Sequence, residues 1–286
     1  MDALPACGVI GPGRLGRTLA LALHERGCLR WLKGRSPGSA EWARRHGIPY
    51  VLEWQQLEPV EVVWLTVPDR ALAELAGECA RAGMPWIARS VVVHCAGALG
   101  VEPLNACAEV GAETAVAHPF QTFPLPAQPQ RLHCCPWSIE ARTPNAARVL
   151  AELVRALEGI PVFVQRSPQQ RALYHAAAVA ASNLLVAVLK LAEELARGSG
   201  IPPTLFLEPI VRASVENYFA AVGTIPLTGP VVRADWETLR RHWEALPEPL
   251  RAPYRHALLL LAEVARSEGL LSEAQQRELH SLLGVV

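Results

Sequence analysis

The stretch at positions 7–36, CGVIGPGRLGRTLALALHERGCLRWLKGRS, decides the fold of this chain. A short apolar run leads into a glycine-rich turn, and a segment with apolar residues at helical spacing follows. The turn carries Gly11, Gly13 and Gly16 in the spacing GxGxxG. In this pattern the first glycine permits a tight turn, the second lets the backbone approach a pyrophosphate, and the third lets the helix pack on the strand. We therefore expect a strand, an anion-binding turn and a helix, which together open a dinucleotide-binding domain.

The end of the second predicted strand indicates which dinucleotide binds. Lys33, Gly34, Arg35 and Ser36 stand where a unit that prefers NAD usually carries Asp or Glu for the ribose hydroxyls. Two cations and a hydroxyl suit a 2′-phosphate, and no acid is present there to repel it. The sequence therefore favours NADP(H) over NAD(H), and the alternative interpretation is a solvated basic loop.

A third strand, VEVVWLTV at 60–67, stops at a Pro-Asp pair. Its β-branched and apolar residues are typical of a buried parallel strand. Ligands of doubly wound sheets bind beyond the carboxyl ends of strands, so the end of this strand should border the cofactor. Asp69 is expected to cap a helix over 70–82. The full predicted cofactor set is Gly11, Pro12, Gly13, Arg14, Leu15, Gly16, Lys33, Arg35, Ser36, Thr66, Val67, Pro68 and Asp69.

Composition narrows the classes of function. The chain has 286 residues, of which 51% are apolar and 19% charged, enough for two domains with ample core. Its formal net charge is zero, so no excess of basic residues indicates binding to nucleic acid or to an anionic membrane. No signal-like start and no uninterrupted apolar run of about 18 residues is seen, which predicts a cytoplasmic protein without a membrane partner. Seven cysteines without regular spacing indicate reduced thiols.

The order of predicted elements gives the fold class. Further strands are expected at 90–94, 113–117, 137–140 and 160–165, with helices between them, and only helices follow, beginning with a long one over 168–197. We expect an α/β fold, a Rossmann-type doubly wound sheet followed by an all-α C-terminal domain. The boundaries would be 1–165 for an NADP-binding domain and 166–286 for a helical domain that binds substrate and forms a homodimer.

Histidines at two strand ends are candidates for proton transfer. His94 ends one predicted strand and His118 directly follows another, and imidazole titrates near neutral pH. The alternative for each is a structural histidine that is hydrogen-bonded before a turn.

Polar residues on the long predicted helix are further candidates. At about 100° per residue, Arg171, His175 and Ser182 share one stripe, and Asn183 lies roughly 80° from His175. They could contact substrate, or they could bond to neighbouring helices. Lys190, close to two glutamates, is expected to form surface ion pairs.

A late loop at 224–233, TIPLTGPVVR, leads into a further candidate pair. Arg233 could hold a carboxylate with two hydrogen bonds, and Asp235 could assist it. Alternatively the two side chains bond to each other and Asp235 caps the next helix. A rival cluster of His118, His133, Cys134 and Cys135 has metal-ligand chemistry, but adjacent cysteines are awkward ligands for tetrahedral zinc and no CxxC is present. No metal is predicted.

Taken together, the glycine turn, TVPD, HCAGA, HPF, YHAAAVAASN and LTGPVVRADWET resemble the Rossmann-like oxidoreductases whose C-terminal half is a helical domain of unknown function. This family is similar in plan to pyrroline-5-carboxylate reductase, ketopantoate reductase and the 6-phosphogluconate dehydrogenase-like enzymes. The resemblance implies that substrate lies between the domains and that helical domains pack across a dimer. Prephenate dehydrogenases have a similar His-Pro pair in which the histidine contacts substrate, which supports His118. The chain departs from its relatives at Ala96, where they carry serine, and at Ala234, where they carry glycine.

The predicted function is that of an NADP(H)-dependent oxidoreductase that reduces a small carbonyl or imine acid and so acts on CH-OH or CH-NH groups. The resemblance suggests ketopantoate as one substrate. Two alternatives stay open: a non-catalytic NADP(H)-binding regulator or scaffold, and a reductase that uses a deazaflavin.

Overall fold

The computed structural model describes residues 3–284, which form two compact units. The first unit ends at Ser182 and the second begins at Asn183. The division lies later than the predicted boundary at 165, because the helix that starts at Pro168 packs with the sheet. Arg171 on this helix, for example, forms an ion pair with Glu140 on a strand.

An eight-stranded sheet forms the centre of the first unit. The strands are β1 (Cys7–Ile10), β2 (Leu29–Lys33), β3 (Tyr50–Val51), β4 (Val62–Leu65), β5 (Val91–His94), β6 (Glu113–Pro119), β7 (Pro136–Ala141) and β8 (Ile160–Phe163). Their order in the sheet is β3-β2-β1-β4-β5-β6-β7-β8. β1 to β6 run parallel, as the sequence predicts for a Rossmann-type sheet, and their carboxyl ends share one edge.

One strand reverses direction, and this reversal matters for the site. β7 pairs antiparallel with β6, and β8 runs parallel to β7. A parallel crossover usually needs a helix, and the proline-rich segment between β6 and β7 forms only a short 3-10 turn, Pro129–Leu132. The reversal sets His118 on β6 directly opposite Ser138 on β7. Residues in such a pair project from the same face of the sheet.

Helices cover the sheet and bury its strands. The helices of the first unit are α1 (Arg14–Glu25), α2 (Pro37–Arg45), α3 (Leu72–Arg81), α4 (Asn105–Glu109), α5 (Pro144–Ala156) and α6 (Pro168–Val179). Every residue of β1, β4 and β5 is buried, as expected for strands covered on both faces. Trp31, Trp64 and Trp137 are fully buried in the two apolar layers. The seven cysteines all carry free thiols, in agreement with their irregular spacing.

The second unit is entirely helical in its regular structure. It contains α7 (Leu185–Gly198), α8 (Pro203–Ala220), α9 (Trp236–Ala245), α10 (Glu248–Ser267) and α11 (Glu273–Leu282). Its apolar core is formed mainly by α9, α10, α11 and the loop around Val231. By contrast, α8 has no buried residue. The second unit therefore buries one part of its apolar surface and exposes another.

The helical run Pro168–Gly198 combines α6, a short π-helical segment (Ala180–Leu184) and α7. The sequence predicts an uninterrupted α-helix here, and that prediction is wrong over the π-helical segment. The angle of 100° per residue consequently does not hold through Ser182 and Asn183, so the predicted stripe does not continue past α6. By length and composition alone this run, in which one window of 18 residues has a mean hydropathy of 1.8, is long and apolar enough to cross a membrane. Polar residues such as His175 interrupt it, so the sequence shows no unbroken apolar run there.

Candidate functional site

The glycine turn has the geometry that the sequence predicts. Gly11 has φ of +105°, and a Cβ there would lie 2.7 Å from Val67 Cγ1. A Cβ on Gly16 would lie 2.0 Å from the carbonyl oxygen of Gly11. At Gly13 the nearest contact of an added Cβ is the Thr66 carbonyl oxygen at 3.9 Å. Packing therefore requires glycine at 11 and 16 but not at 13, where the space beside the backbone is open.

The amino-terminal end of α1 can accept an anion. Gly13 is its N-cap residue, no side chain caps it, and no acidic residue lies in its first turn. Thr66 holds the turn from the neighbouring strand end, because its hydroxyl donates to the carbonyl oxygens of Gly11 (2.7 Å) and Ile10 (3.1 Å). Backbone amides and the helix dipole thus favour negative charge at this point.

A cleft of about 610 Å³ lies along the glycine turn. It includes most of the predicted cofactor residues: Gly11, Pro12, Gly13, Lys33, Arg35, Ser36, Thr66, Val67 and Pro68. Arg14, Leu15, Gly16 and Asp69 do not line it. Asp69 begins an exposed 3-10 turn (Asp69–Ala71), and α3 starts after it without a side-chain cap. The prediction that Asp69 caps this helix is therefore wrong.

The basic corner of the cleft has one uncommitted cation. The ammonium of Lys33 donates to the Leu52 carbonyl oxygen and lies 4.7 Å from the centroid of the Trp54 ring. Burial lowers the pKa of Lys33. Ser36 caps α2, because its hydroxyl accepts a hydrogen bond from the Ser39 amide. Arg35 is exposed at the cleft and forms no ion pair with any described residue, so it is the cation that can meet a phosphate.

His94 at the end of β5 has two backbone partners. The residue is fully buried, Nδ1 accepts a hydrogen bond from the Ala96 amide (3.1 Å), and Nε2 lies 2.7 Å from the Gly100 carbonyl oxygen. Nε2 must therefore carry the proton. Burial lowers the pKa of this residue. Both nitrogens are occupied, which is the arrangement of a structural histidine that holds the loop after β5.

His118 has a different environment. It lies within β6 near its end, where the sequence placed it just after the strand. Its Nδ1 is 2.7 Å from the hydroxyl of Tyr174 on α6, and the Phe120 ring packs nearby. The other edge of the ring faces Gly97, where a Cβ would lie 2.9 Å from Nε2. His118 and Tyr174 therefore form a hydrogen-bonded pair of groups that can both carry a proton.

The charges around this pair act on its protonation. The pKa of His118 is lowered to about 4, first by burial and then by the neighbouring charges of His175, Arg166 and His94. Burial also raises the pKa of Tyr174, while Arg166 and Ser138 oppose this shift. At neutral pH the imidazole is therefore uncharged and the phenol keeps its proton.

Other predicted site residues on α6 and after it are placed as follows. Arg171 is buried in a two-bond ion pair with Glu140. His175 is exposed beside Tyr174, and Asn183 is exposed in the π-helical segment. The Ser182 hydroxyl donates to the Ala178 carbonyl oxygen (2.6 Å). One residue of the predicted stripe, Arg171, is thus part of a structural ion pair. Contact of the exposed His175 and Asn183 with substrate stays a prediction.

The late loop and the remaining candidates have clear placements. Asp235 caps α9, because its carboxylate accepts from the Thr238 amide (3.1 Å) and hydroxyl (2.8 Å). Arg233 is exposed two residues earlier. Lys190 forms ion pairs with Glu193 and Glu194, as the sequence predicts. Within residues 3–284 no three His, Cys, Asp or Glu side chains are grouped so that they could hold a metal ion.

Sequence reasoning missed three residues of the His118 cluster. Tyr174, Arg166 and Ser138 approach His118 from α6, from the segment after β8 and from β7. The helical spacing between Arg171 and Tyr174 could have indicated Tyr174, because positions three apart share a helix face. Ser138 and Arg166 could not be found this way, since their placement depends on the reversal of β7.

Comparison with known families agrees with this architecture. A family model described as a Rossmann-like domain matches residues 2–119, and a domain of unknown function, DUF2520, matches residues 135–259. The chain belongs to the Rossmann-like proteins with a DUF2520 domain. The DUF2520 match begins just before β7, so it includes Ser138, Arg166 and Tyr174 as well as the first helices of the second unit. No protein of curated function matches this sequence.

Several solved structures share the fold of this family member over almost its whole length. A Bacteroides fragilis protein described as a candidate NADP oxidoreductase has 22% identity and a TM-score of 0.74, with 98% of this chain and 99% of that chain covered. A variant imine reductase from Myxococcus stipitatus in complex with NAD⁺ has 16% identity and a TM-score of 0.58, covering 96% and 99%. A Plasmodium falciparum pyrroline carboxylate reductase with NADP bound has 10% identity and a TM-score of 0.58, covering 99% of both. These likenesses establish the fold.

Proposed function

We propose that this chain is an NADP(H)-dependent reductase of a small carbonyl or imine acid. The observation that carries the proposal is the His118–Tyr174 pair near the carboxyl end of β6, on the sheet whose first turn accepts an anion. Ligands of such sheets bind along this edge. The structural neighbours include reductases with NADP or NAD⁺ bound, which supports a nicotinamide cofactor for this chain.

The residues of the first unit fit such a cofactor. The amides of the glycine turn would hold the pyrophosphate, and Arg35 with the N-terminal end of α2 would hold the 2′-phosphate. The bound cofactor would supply the hydride to the carbon of a C=O or C=N bond. His118 and Tyr174 would give one proton to the oxygen or nitrogen of that bond, which yields the alcohol or amine. The pair would then take one proton back from water.

The proposed preference for NADP(H) is tested by a binding titration on protein stripped of nucleotide. Arg35→Gln should weaken NADPH binding about tenfold or more and leave NADH binding unchanged, because only NADPH carries the 2′-phosphate. Arg30→Gln is the matched control, since Arg30 is exposed on β2 and does not line the cleft. If Arg35→Gln weakens the binding of NADPH and NADH equally, Arg35 does not recognise the 2′-phosphate and the proposed preference for NADP(H) is contradicted.

The same preparations test the catalytic proposal. NADPH oxidation is followed with 2-oxo acids and cyclic imine acids, and a measurable rate that His118→Gln removes supports the reductase. If NADPH binds tightly and no member of either series is turned over, the non-catalytic NADP(H)-binding regulator is the better description. If neither nucleotide binds, the glycine turn is only architecture.

We also propose that a second copy of the chain covers α7 and α8. Exposed fractions on α8 reach 70% for Leu205 and 79% for Phe219, and on α7 Val186 is 64% exposed. A helix that is apolar on most of its surface is normally covered in its working state. The exposed apolar side chains of α8 extend from Leu205 to Phe219, about four helical turns, which suits a dimer interface of standard size.

Light scattering after size exclusion tests the dimer. We expect twice the chain mass of 31.0 kDa, and Phe219→Glu should give the single-chain mass. Val110→Glu is a control on the first unit, because Val110 is also exposed. A wild-type protein that is monomeric and sediments with phosphatidylcholine vesicles would instead assign this apolar surface to a membrane.

A further inference from the structure

Arg166 is a cation without an acidic partner beside the His118–Tyr174 pair. Its Nη1 donates to the hydroxyl of Ser138 (2.8 Å), and its Cζ lies 3.7 Å from the centroid of the Tyr174 ring. Among the residues that the structure describes, no carboxylate lies within ion-pair distance of it. Since a guanidinium carries five N–H donors, several of them stay available after its hydrogen bonds to Ser138 and Tyr174.

A second arginine, Arg171 on α6, lies five residues further along the chain and has an acidic partner. Arg171 meets Glu140 with two hydrogen bonds, whereas Arg166 meets Ser138. Ser138 and Glu140 are two residues apart on β7, so they project from the same face. The chain thus supplies an acid for one of two neighbouring arginines and a hydroxyl for the other. Arg166 is therefore available to the acidic group of a ligand.

The position of Arg166 relates it to proton transfer. Ser138 lies directly opposite His118, and Tyr174 contacts both His118 and Arg166. The charged and titratable groups that face His118 are Tyr174 and His175 on α6, Arg166 after β8, and His94 on β5. Both His175 and Arg166 oppose a proton on His118. An anion at Arg166 would reduce this repulsion.

We propose that Arg166 holds the carboxylate of the substrate next to the bond that is reduced. The inference rests on the proposed reductase function and identifies the group that recognises the acid. The planar fork of the guanidinium, held in place by the Tyr174 ring and the Ser138 hydroxyl, matches a carboxylate with two hydrogen bonds. Binding of the acid group would also raise the pKa of His118, because it would offset the repulsion between the guanidinium and a protonated imidazole.

The first test compares each 2-oxo acid or cyclic imine acid with its methyl ester. In Arg166→Gln the ratio of kcat/KM for acid over ester should fall about tenfold or more. Arg166→Lys keeps the charge but not the planar fork of the guanidinium. Its ratio of kcat/KM for acid over ester should lie between those of the wild type and Arg166→Gln. Arg148→Gln is the matched control, because Arg148 is an exposed arginine on α5 outside the cluster. The Kd for NADPH should stay unchanged in every variant.

Two results of this test would overturn the proposal. Equal losses for acid and ester would mean that Arg166 only positions Tyr174. A weaker Kd for NADPH in Arg166→Gln would assign the guanidinium to the cofactor.

The second test does not need turnover. The ring of His118 is followed by NMR across pH with acetate, acetamide or inorganic phosphate added to the protein with NADP⁺. Acetate should move the titration of His118 to higher pH in the wild type but not in Arg166→Gln, and acetamide should have no effect. A response to acetate without turnover of any acid would keep the anion site and reject the reductase. No response to acetate, or a response to phosphate alone, would reject the carboxylate site even if the reductase stands.

Discussion

The ends of β5 and β6 lie side by side in the sheet, and each carries a histidine with a different environment. His94 is fully buried and both of its ring nitrogens bond to backbone groups of the following loop. His118 bonds to the hydroxyl of Tyr174, and its other edge lies against Gly97. A backbone amide or carbonyl does not act as a general acid or base near neutral pH, whereas a phenol can pass its proton to a neighbouring base. The comparison shows that the partner of a histidine indicates its role better than its position at a strand end.

Replacement of His118 should have the largest effect. His118→Gln is expected to lower kcat about 10²–10⁴-fold, the usual contribution of a proton-transfer group, while the Kd for NADPH stays unchanged. Steady-state kinetics and a binding titration measure the two quantities. His24→Gln, at an exposed histidine in the last turn of α1, is the control. Full activity in His118→Gln would transfer the role to another group.

Replacement of His94 should act on stability instead. His94→Ala removes a buried ring and leaves the Ala96 amide and the Gly100 carbonyl without their partner, so the free energy of unfolding should fall by about 2–4 kcal/mol. Urea denaturation measures this change, and kcat per folded molecule should stay close to that of the wild type. A loss of kcat at unchanged stability would reverse the roles of the two histidines.

Gly97 offers a way to disturb His118 without removing it. A Cβ there lies 2.9 Å from the imidazole, so Gly97→Ala should shift the ring and lower kcat about tenfold. Gly100→Ala is the matched control in the same loop, because its Cβ meets Glu102 and Arg171 and does not reach His118. If Gly100→Ala lowers kcat more than Gly97→Ala, the contact with His118 is not the reason.

The smallest expected effect is a difference between the wild type and His118→Gln in how the free energy of unfolding depends on pH. The pKa of His118 is about 4 in the folded chain and 6.5 is its ordinary value, so between these values the unfolded chain binds a proton that the folded chain does not. Stability is therefore lost as the pH falls through this range. His118→Gln should reduce that loss by about 1 kcal/mol, after allowance for solvent screening. Urea denaturation at pH 7 and pH 4.5 measures it, and equal losses in both proteins would contradict the low pKa.

Local sequence patterns were sufficient to predict the glycine turn and the first strands. The need for glycine at positions 11 and 16 was predicted, because a helix packs closely on a strand there. The bounds of β1 and β2 agree with the apolar runs in the sequence. The direction of β7 depends on how a proline-rich loop closes, which periodicity does not show. The site around His118 depends on that direction, so Ser138 and Arg166 were missed. The π-helical segment was missed for a different reason. An alanine-rich sequence has the same composition in a π-helical segment as in an α-helix, so the pattern does not distinguish the two.

The exposed apolar surface of α7 and α8 has a consequence for the protein at low concentration. If a second copy covers it, as proposed, association and folding are linked by mass action. The midpoint of thermal unfolding then rises with total protein concentration, and dilution alone destabilises the chain. Activity assays at nanomolar concentration would in that case measure a partly dissociated population, whereas binding titrations at micromolar concentration would measure the assembled one.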